Sequence, residues 1–339
     1  MRTWFVTGGA GFIGSAFLRL VLEERPDVRV IDYDALTYAG NPENLDGLDP
    51  ERHTFVRGDI CDAEAVTGAL SEGAEIVVNF AAESHVDRSI LSANEFIRTN
   101  VLGTQVLLDA ARANGIRRFC HVSTDEVMGS LPDESDELFT EESPFRPNSP
   151  YAASKAGAEH LVRAAHETFG IDTVITRCGN NYGPRQFPEK FIPLMIANAL
   201  ADKPIPVYGD GRNVRDWIYV DDHCRAILDI IDRGTSGGTY NIGARNERRN
   251  LDVVESVLDA LGKPCSLITH VEDRPGHDRR YAIDPTKVET ELGWQPRETS
   301  ESGLQKTIRW YLDNQEWTER VRSGAYHDYY ERQYGMRIA

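Results

Sequence analysis

The sequence predicts an α/β fold: a doubly wound parallel sheet with a smaller C-terminal α/β lobe. Three observations carry this. The first 180 residues alternate short β-branched runs with longer helix-periodic stretches, a pattern that lays parallel strands between covering helices. A glycine cluster, Gly8-Gly9-Ala10-Gly11-Phe12-Ile13-Gly14, joins the first strand to the first helix. With 339 residues, 40% of them hydrophobic, the chain has the length of roughly two domains at ~150 residues each and can bury a sizeable core.

The elements follow in order. Thr3–Thr7, Val28–Asp32, Thr54–Val56, Glu75–Phe80, Arg118–Val122 and Thr173–Arg177 read as strands. Phe12–Glu24, Ala63–Leu70, Ala93–Asn114 and Tyr151–Phe169 read as the helices between them. Within Ala93–Asn114, Val101, Gln105, Leu108 and Arg112 fall at helical spacing, and Leu102 and Val106 widen the apolar face. Beyond residue 180 the pattern changes. Asn180-Asn181-Tyr182-Gly183-Pro184 reads as a loop, Ile192–Ala201 as a helix, and Ile205–Tyr208 and Trp217–Val220 as short strands. Gly237–Ile242 reads as one more strand of the main sheet, and Asp252–Leu261, Pro285–Leu292 and Gly303–Asn314 as later helices. The expected division is a Rossmann-type cofactor domain over 1–178 plus about 217–248, and a second domain over about 179–216 and 249–330. Asp133–Glu142 holds six carboxylates in ten residues and reads as a solvated surface loop, a lid being the alternative.

Composition excludes several classes of partner. Lys plus Arg number 37 against 54 Asp plus Glu, a formal charge of −17. Such a surface repels phosphate backbones and anionic lipid. No apolar run approaches the ~18 residues of a membrane span, and the glycines between Gly8 and Gly14 break the only stretch resembling a leader. The five cysteines, Cys61, Cys120, Cys178, Cys224 and Cys265, are odd in number, with neither CxxC nor zinc spacing. They read as reduced, mostly buried thiols of a cytoplasmic protein that binds no metal.

The glycine cluster points to a cofactor. Gly9, Gly11 and Gly14 satisfy G-x-G-x-x-G, and Gly8, Gly11 and Gly14 equally give G-x-x-G-x-x-G. Glycine there permits a tight turn and lets backbone amides at a helix N-terminus approach a pyrophosphate. Asp32 closes the next strand 18 residues after Gly14. A carboxylate at that place bonds ribose hydroxyls and repels a 2′-phosphate, which favours NAD over NADP. Asp59, just after the third strand, is placed to reach the adenine or to cap a helix.

The chemistry follows from Tyr151-Ala152-Ala153-Ser154-Lys155. Tyr and Lys four apart share one helical face. Lys155 reaches toward the cofactor ribose and favours the tyrosinate, so that Tyr151 serves as base toward an alcohol. With Ser123-Thr124 closing a strand upstream, the sequence resembles the extended short-chain dehydrogenase/reductase family. The resemblance runs from Thr7-Gly8-Gly9 to Arg215-Asp216-Trp217-Ile218-Tyr219-Val220-Asp221-Asp222 and fits nearly the whole chain. It implies further cofactor contacts at Gly8, Gly11, Phe12, Ile13, Gly14, Ile60, Ala81, Ala82, Thr99 and Asn181.

Within that family, Ser123-Thr124-Asp125-Glu126-Val127 and Ala81-Ala82-Glu83-Ser84-His85-Val86-Asp87-Arg88-Ser89 are similar to the nucleotide-sugar 4,6-dehydratases. Oxidation alone needs only the hydroxyl of Thr124; two adjacent carboxylates allow an acid and a base with separated pKa values. The resemblance implies that Tyr151 deprotonates the sugar 4-hydroxyl, Glu126 removes the C5 proton and Asp125 protonates the departing 6-hydroxyl. It also implies a substrate surface of Ser84, His85, Thr124, Asn180, Lys190, Pro206, Tyr208, Arg215, Asn250, Arg274 and His277. There Arg215 would fork two phosphate oxygens and Tyr208 would stack on a pyrimidine; His223 reads as structural. Met128 stands where the family has tyrosine, and the first strand carries Trp4. The overall resemblance favours dTDP-glucose as substrate, with UDP-glucose next, and implies a homodimer built on Ala93–Asn114 and Tyr151–Phe169. A 4-epimerase or simple dehydrogenase would share Tyr151, Lys155 and the glycine turn without needing Asp125-Glu126. A non-catalytic NAD-sensing protein would not need the Tyr and Lys.

Overall fold

The alternation of strands and helices becomes layers in the computed structural model, which describes residues 1–133 and 135–322. In chain order the strands are β1 (Arg2–Thr7), β2 (Val28–Asp34), β3 (His53–Arg57), β4 (Ile76–Asn79), β5 (Arg118–Val122) and β6 (Thr173–Cys178). There follow β7 (Asn180–Tyr182), β8 (Ile205–Tyr208), β9 (Val214–Tyr219), β10 (Thr239–Ile242), β11 (Glu247–Arg249) and β12 (Ile268–Val271). A seven-stranded sheet takes the order β10-β6-β5-β4-β1-β2-β3, with every neighbour parallel. The direction of winding reverses between β1 and β4, so a crevice opens beyond their carboxyl ends.

Helices cover both faces. On one, α1 (Phe12–Glu24) buries Phe17, Leu18, Val21 and Leu22 against Trp4 and Val6 of β1. On the other, α2 (Ala63–Leu70) packs with Leu107, Leu108 and Val162 around Phe5. Besides Gln315–Arg322 near the end of the described chain, two helices were not expected. One is α3 (Val86–Leu91), inside the Glu83–Ser89 motif. The other is Val220–Arg233, whose Ile227, Leu228, Ile230 and Ile231 join the α1 core; its apolar period was hidden behind the strand-like run that ends at Val220.

The expected helix Ala93–Asn114 is a composite: α4 (Asn94–Phe96), a π-helical stretch Ile97–Gly103, and α5 (Thr104–Ala113). The wide turn, a common companion of functional sites, buries Asn100, whose amide nitrogen donates to the Glu83 carbonyl and to Ser154 Oγ. The last long helix of this half is α6 (Pro150–Phe169). Proline stands in its first turn, Ser149 Oγ caps the Ala152 amide at 3.1 Å, and left-handed Gly170 ends it.

Beyond the main sheet, β7, β9 and β11 form a three-stranded sheet and β8 pairs with β12. The Asn180–Tyr182 stretch expected as loop is thus a strand, in parallel register with Trp217–Tyr219. α7 (Phe191–Leu200), α8 (the Val220–Arg233 helix), α9 (Asn250–Leu261), α10 (Thr286–Leu292), α11 (Ser300–Asp313) and α12 (Gln315–Arg322) complete the described chain. A second core gathers Ile192, Ile196, Val254, Leu258 and Tyr311 around Trp217 and Tyr219. Residues 323–330 of the expected second domain lie outside the described residues. The acidic stretch, in which Glu134 lies outside the described residues, is pinned: Asp133 pairs with Arg279 at 2.8 Å, and buried Phe139 exchanges backbone hydrogen bonds with Ala282 and Asp284. No described helix is long and apolar enough to cross a membrane.

Candidate active site between two clefts

The cofactor cradle is shaped by atoms that are missing. A Cβ on Gly8 (φ +72°) would fall 2.7 Å from the Ala81 nitrogen, and one on Gly14 would fall 2.1 Å from the Gly8 carbonyl oxygen. Only hydrogen fits at either place, so loop, helix and β4 close up tightly. α1 starts after Gly11 with no side-chain cap and no acidic residue in its first turn. Its free amides and positive dipole end face a cleft of about 370 Å³, a ready place for a pyrophosphate. Asn181 Oδ1 and Ser123 Oγ on the cleft wall are buried and have no hydrogen-bond partner among the described residues. The residues present therefore fit a dinucleotide such as NAD.

All the cofactor residues expected from the sequence line this cleft except one. Asp32 does not. Its side chain is 0% exposed, and Oδ2 lies 3.2 Å from His53 Nε2. Directly above sits Gly9, where a Cβ would fall 2.1 Å from Asp32 Oδ1. β2 runs two residues further than the expected strand, ending at Asp34. It is Asp34 that lines the cleft, and its carboxylate accepts the Ala10 amide at 3.0 Å and the Leu36 amide at 2.8 Å. The signal was available: Asp34 stands two residues along the same strand, on the same face. Asp59 accepts the Cys61 amide and pairs with Arg98 at 2.6 Å. It does not cap α2, a task performed by Asp62.

At the inner end of the cleft stand Thr124, Asp125, Glu126, Tyr151 and Lys155. Thr124 stands two residues beyond β5 and caps a 3₁₀ turn, Asp125–Met128, by accepting the Glu126 amide; its hydroxyl donates to Asp125 Oδ1 at 3.3 Å. Burial drives the Asp125 pKa well above the usual carboxylate value, and the neighbouring Glu126 charge adds to that. Burial also raises Glu126, but Arg274, Arg215 and Lys190 oppose the rise. Tyr151 is pushed well above 10 by burial and then by Glu126, with a hydrogen bond from Thr124 working the other way. Lys155 Nζ donates to the Val122 carbonyl at 2.6 Å, and burial pulls its pKa down to about 8.

A second cleft of about 170 Å³ opens from the first, and Ser84, Glu126, Asn180, Glu189 and Lys190 line both. Every substrate residue expected from the sequence lines one cleft or the other. Lys190 Nζ donates to the Ser84 carbonyl at 2.9 Å. The Arg215 guanidinium bonds the Asp278 carbonyl at 2.8 Å and lies 4.2 Å from the Tyr281 ring centroid. Asp87, not expected, receives Arg274 Nη1 at 3.1 Å and the Tyr208 hydroxyl at 3.0 Å. Burial first, then Arg274 and Arg215, lowers His277 to about 4 despite Asp273 at 2.6 Å. His223 lines neither cleft, and burial takes its pKa down to about 3. Met128 also lines neither cleft; its sulfur lies 3.8 Å from Arg177 Nη1, within the buried Arg177–Glu159 pair.

Known proteins share this arrangement. Residues 5–307 match the family model described as GDP-mannose 4,6 dehydratase. The chain is 50% identical to a dTDP-glucose 4,6-dehydratase of Shigella flexneri, with 97% of this chain and 98% of that one covered. It is similar to the crystal structure of a dTDP-glucose 4,6-dehydratase from Streptomyces venezuelae with NAD and TYD bound. That match has a TM-score of 0.91 and 50% identity, covering 94% of this chain and 100% of the other. The structure of a UDP-glucose 4-epimerase from Thermus thermophilus in complex with NAD is similar at TM-score 0.85 and 31% identity, covering 92% and 100%.

Proposed function

The chain belongs to the GDP-mannose 4,6 dehydratase family, and from that premise we propose that it is a dTDP-glucose 4,6-dehydratase with NAD as a retained cofactor. The product is dTDP-4-keto-6-deoxy-D-glucose. The observation that carries the reading is the Asp125–Glu126 pair at the inner end of the cofactor cleft. Burial and the neighbouring charge raise the Asp125 pKa well above the usual carboxylate value, while three cations oppose the rise at Glu126. One carboxyl is thereby an acid and its neighbour a base, which elimination of water demands and epimerisation does not.

The residues divide the work. Tyr151 takes the proton of the sugar 4-hydroxyl as its phenolate, a form that burial and Glu126 disfavour and that the positive charge of NAD⁺ would favour when bound; the Thr124 hydroxyl orients the sugar hydroxyl. When bound, NAD⁺ supplies the acceptor for the C4 hydride and returns it at C6. The 4-ketone acidifies C5–H; Glu126 takes that proton as the C6–O bond breaks, and Asp125 gives its proton to the departing hydroxyl, so that water leaves. Glu126 then holds the proton that C5 regains. Lys155 orients the cofactor ribose and Asp34 its adenosine hydroxyls. Lys190, Arg215 and Arg274 neutralise the diphosphate, and the Tyr208 ring faces the pyrimidine. In this reading residues 1–178 with about 217–248 hold NAD, and about 179–216 with 249–330 hold the nucleotide sugar. The protein works as a cytoplasmic homodimer. Its five cysteines are unpaired, and Leu91, Ile97 and Leu102 expose apolar surface on and beside the π-helical stretch.

Incubation with dTDP-glucose should yield the alkaline absorbance of a 4-keto sugar, and hexose inversion without it would overturn the dehydratase assignment. Glu126→Gln should still show the NADH band but form product about 10²–10⁴-fold more slowly, the usual worth of a proton-transfer group. Tyr151→Phe should abolish both signals. Equal loss of NADH formation in the two variants would reject the division of labour.

A further inference from the structure

The catalytic cycle takes a hydride from C4 and returns it to C6, so the cofactor must stay in place between the two steps. The loop that follows β2 is built to keep it there. Thr37, Ala39 and Gly40 line the cofactor cleft. At its base the loop is stapled to the glycine turn. The Ala10 amide donates to Asp34, and the Ala10 carbonyl accepts the Asn41 amide at 3.0 Å and Asn44 Nδ2 at 2.9 Å. Leu36 turns the loop through a left-handed conformation, φ +53°, a shape a leucine adopts only where its surroundings impose it.

The far side of the loop is fastened by one side chain. Tyr38 lines neither cleft; its ring points instead into the opposite wall. The Arg88 guanidinium of α3 lies 3.8 Å above the ring centroid. Phe187 meets the ring edge-on at 5.8 Å. The phenol hydrogen-bonds to Glu189, whose fully buried carboxylate also receives Arg88 Nη2 at 3.1 Å. Glu189 in turn lines both clefts and precedes Lys190. The loop thus bridges from the glycine turn to the wall between cofactor and sugar.

We propose that Tyr38 is a positioning residue, a latch that holds the 35–40 loop across the cofactor cleft and makes NAD release slow relative to turnover. The inference rests on the NAD reading above. Its chemistry is plain: to let NAD out, the loop must withdraw a tyrosine from a cation–π contact, an aromatic edge contact and a buried hydrogen bond together.

The test uses the holoenzyme and measures exchange of bound NAD against an excess of isotopically labelled NAD. Tyr38→Phe keeps the ring contacts and removes one hydrogen bond, so exchange should quicken about 5-fold. Tyr38→Ala removes all three contacts and should quicken it on the order of 10²-fold. Given dTDP-glucose without added NAD, the alanine variant should shed free NADH and stall; saturating NAD should restore kcat with the sugar KM unchanged. A merely structural role would lower kcat irrecoverably or move the melting temperature without moving exchange. Exchange at the parental rate in both variants overturns the latch. So does a stall that added NAD does not relieve. A parental protein that neither retains nor binds NAD would instead overturn the cofactor reading itself, and the latch with it.

Discussion

Along the cofactor cleft the decisive surface is backbone. Gly8, Gly11 and Gly14 expose amides at the start of α1, and the tolerance there is set by Cβ atoms that would lie 2.1–3.2 Å from neighbouring main chain. The nucleotide-sugar cleft is faced by side chains instead: His85 on one segment, Lys190 and Tyr208 on others, Arg215 on β9, Arg274 and His277 beyond β12. The difference teaches how each can fail. A steric cradle has no partial version, whereas a ring of side chains loses affinity one contact at a time.

The largest effect should follow from breaking the cradle. Gly14→Val forces a branched side chain onto the Gly8 carbonyl, which cannot give way because it is main chain and the new Cβ is fixed by the helix backbone. The purified variant should carry no NAD and bind none, whatever its content of folded protein by circular dichroism. Gly68, inside α2, meets nothing within 4 Å. Gly68→Ala should leave NAD untouched and gain about 0.5–1 kcal/mol of stability from helix propensity. Equal damage from both would mean that the cradle is generic packing.

The second effect concerns the other cleft. Arg215→Lys keeps the charge but not the fork that bonds the Asp278 carbonyl and stacks on Tyr281. The KM for dTDP-glucose should rise about 10–100-fold, the worth of charge-assisted hydrogen bonds, while NAD content stays parental. A fall in NAD content would show that the two clefts are not separable in this way.

The same contrast explains what the sequence made legible. The glycine turn, β1, α1, β5 and the Tyr151–Lys155 pair lie in contiguous segments whose local pattern carries their meaning, and α1, α2 and β5 begin and end where the pattern places them. Partnerships across the chain carry no such pattern. Asp87 meeting Tyr208 and Arg274 spans 121 and 187 residues, and no spacing announces it. The π-helical stretch was hidden because apolar period alone does not register one extra residue in a turn. The sequence pattern reads β7 as loop because its turn-forming residues, Asn180 and Asn181, owe their extended shape to pairing with β9. Local propensity yielded there to a tertiary partner.

The smallest effect falls where the sequence reading and the structure part company. Two carboxylates stand two apart on β2. Asp32 is sealed beneath Gly9 against His53, and Asp34 faces the cofactor cleft. If charge at the cleft rim excludes a 2′-phosphate, Asp34→Asn should narrow the preference for NAD over NADP by roughly tenfold or more, since like-charge juxtaposition costs kcal/mol. Asp32→Asn should leave the preference where it was. Acidity provides a sharper test. Burial raises the Asp34 pKa, against the Leu36 and Ala10 amides that bond its carboxylate. The repelling charge is therefore present above that raised pKa and disappears as pH falls through it. Parental NAD preference should shrink on acidification relative to Asp34→Asn, a baseline that carries only the titration of the 2′-phosphate itself. Binding titrations of both dinucleotides across mildly acidic to neutral pH separate the cases. A preference that follows Asp32, or that keeps a constant ratio to the Asp34→Asn baseline, would mean that shape and not charge selects the cofactor.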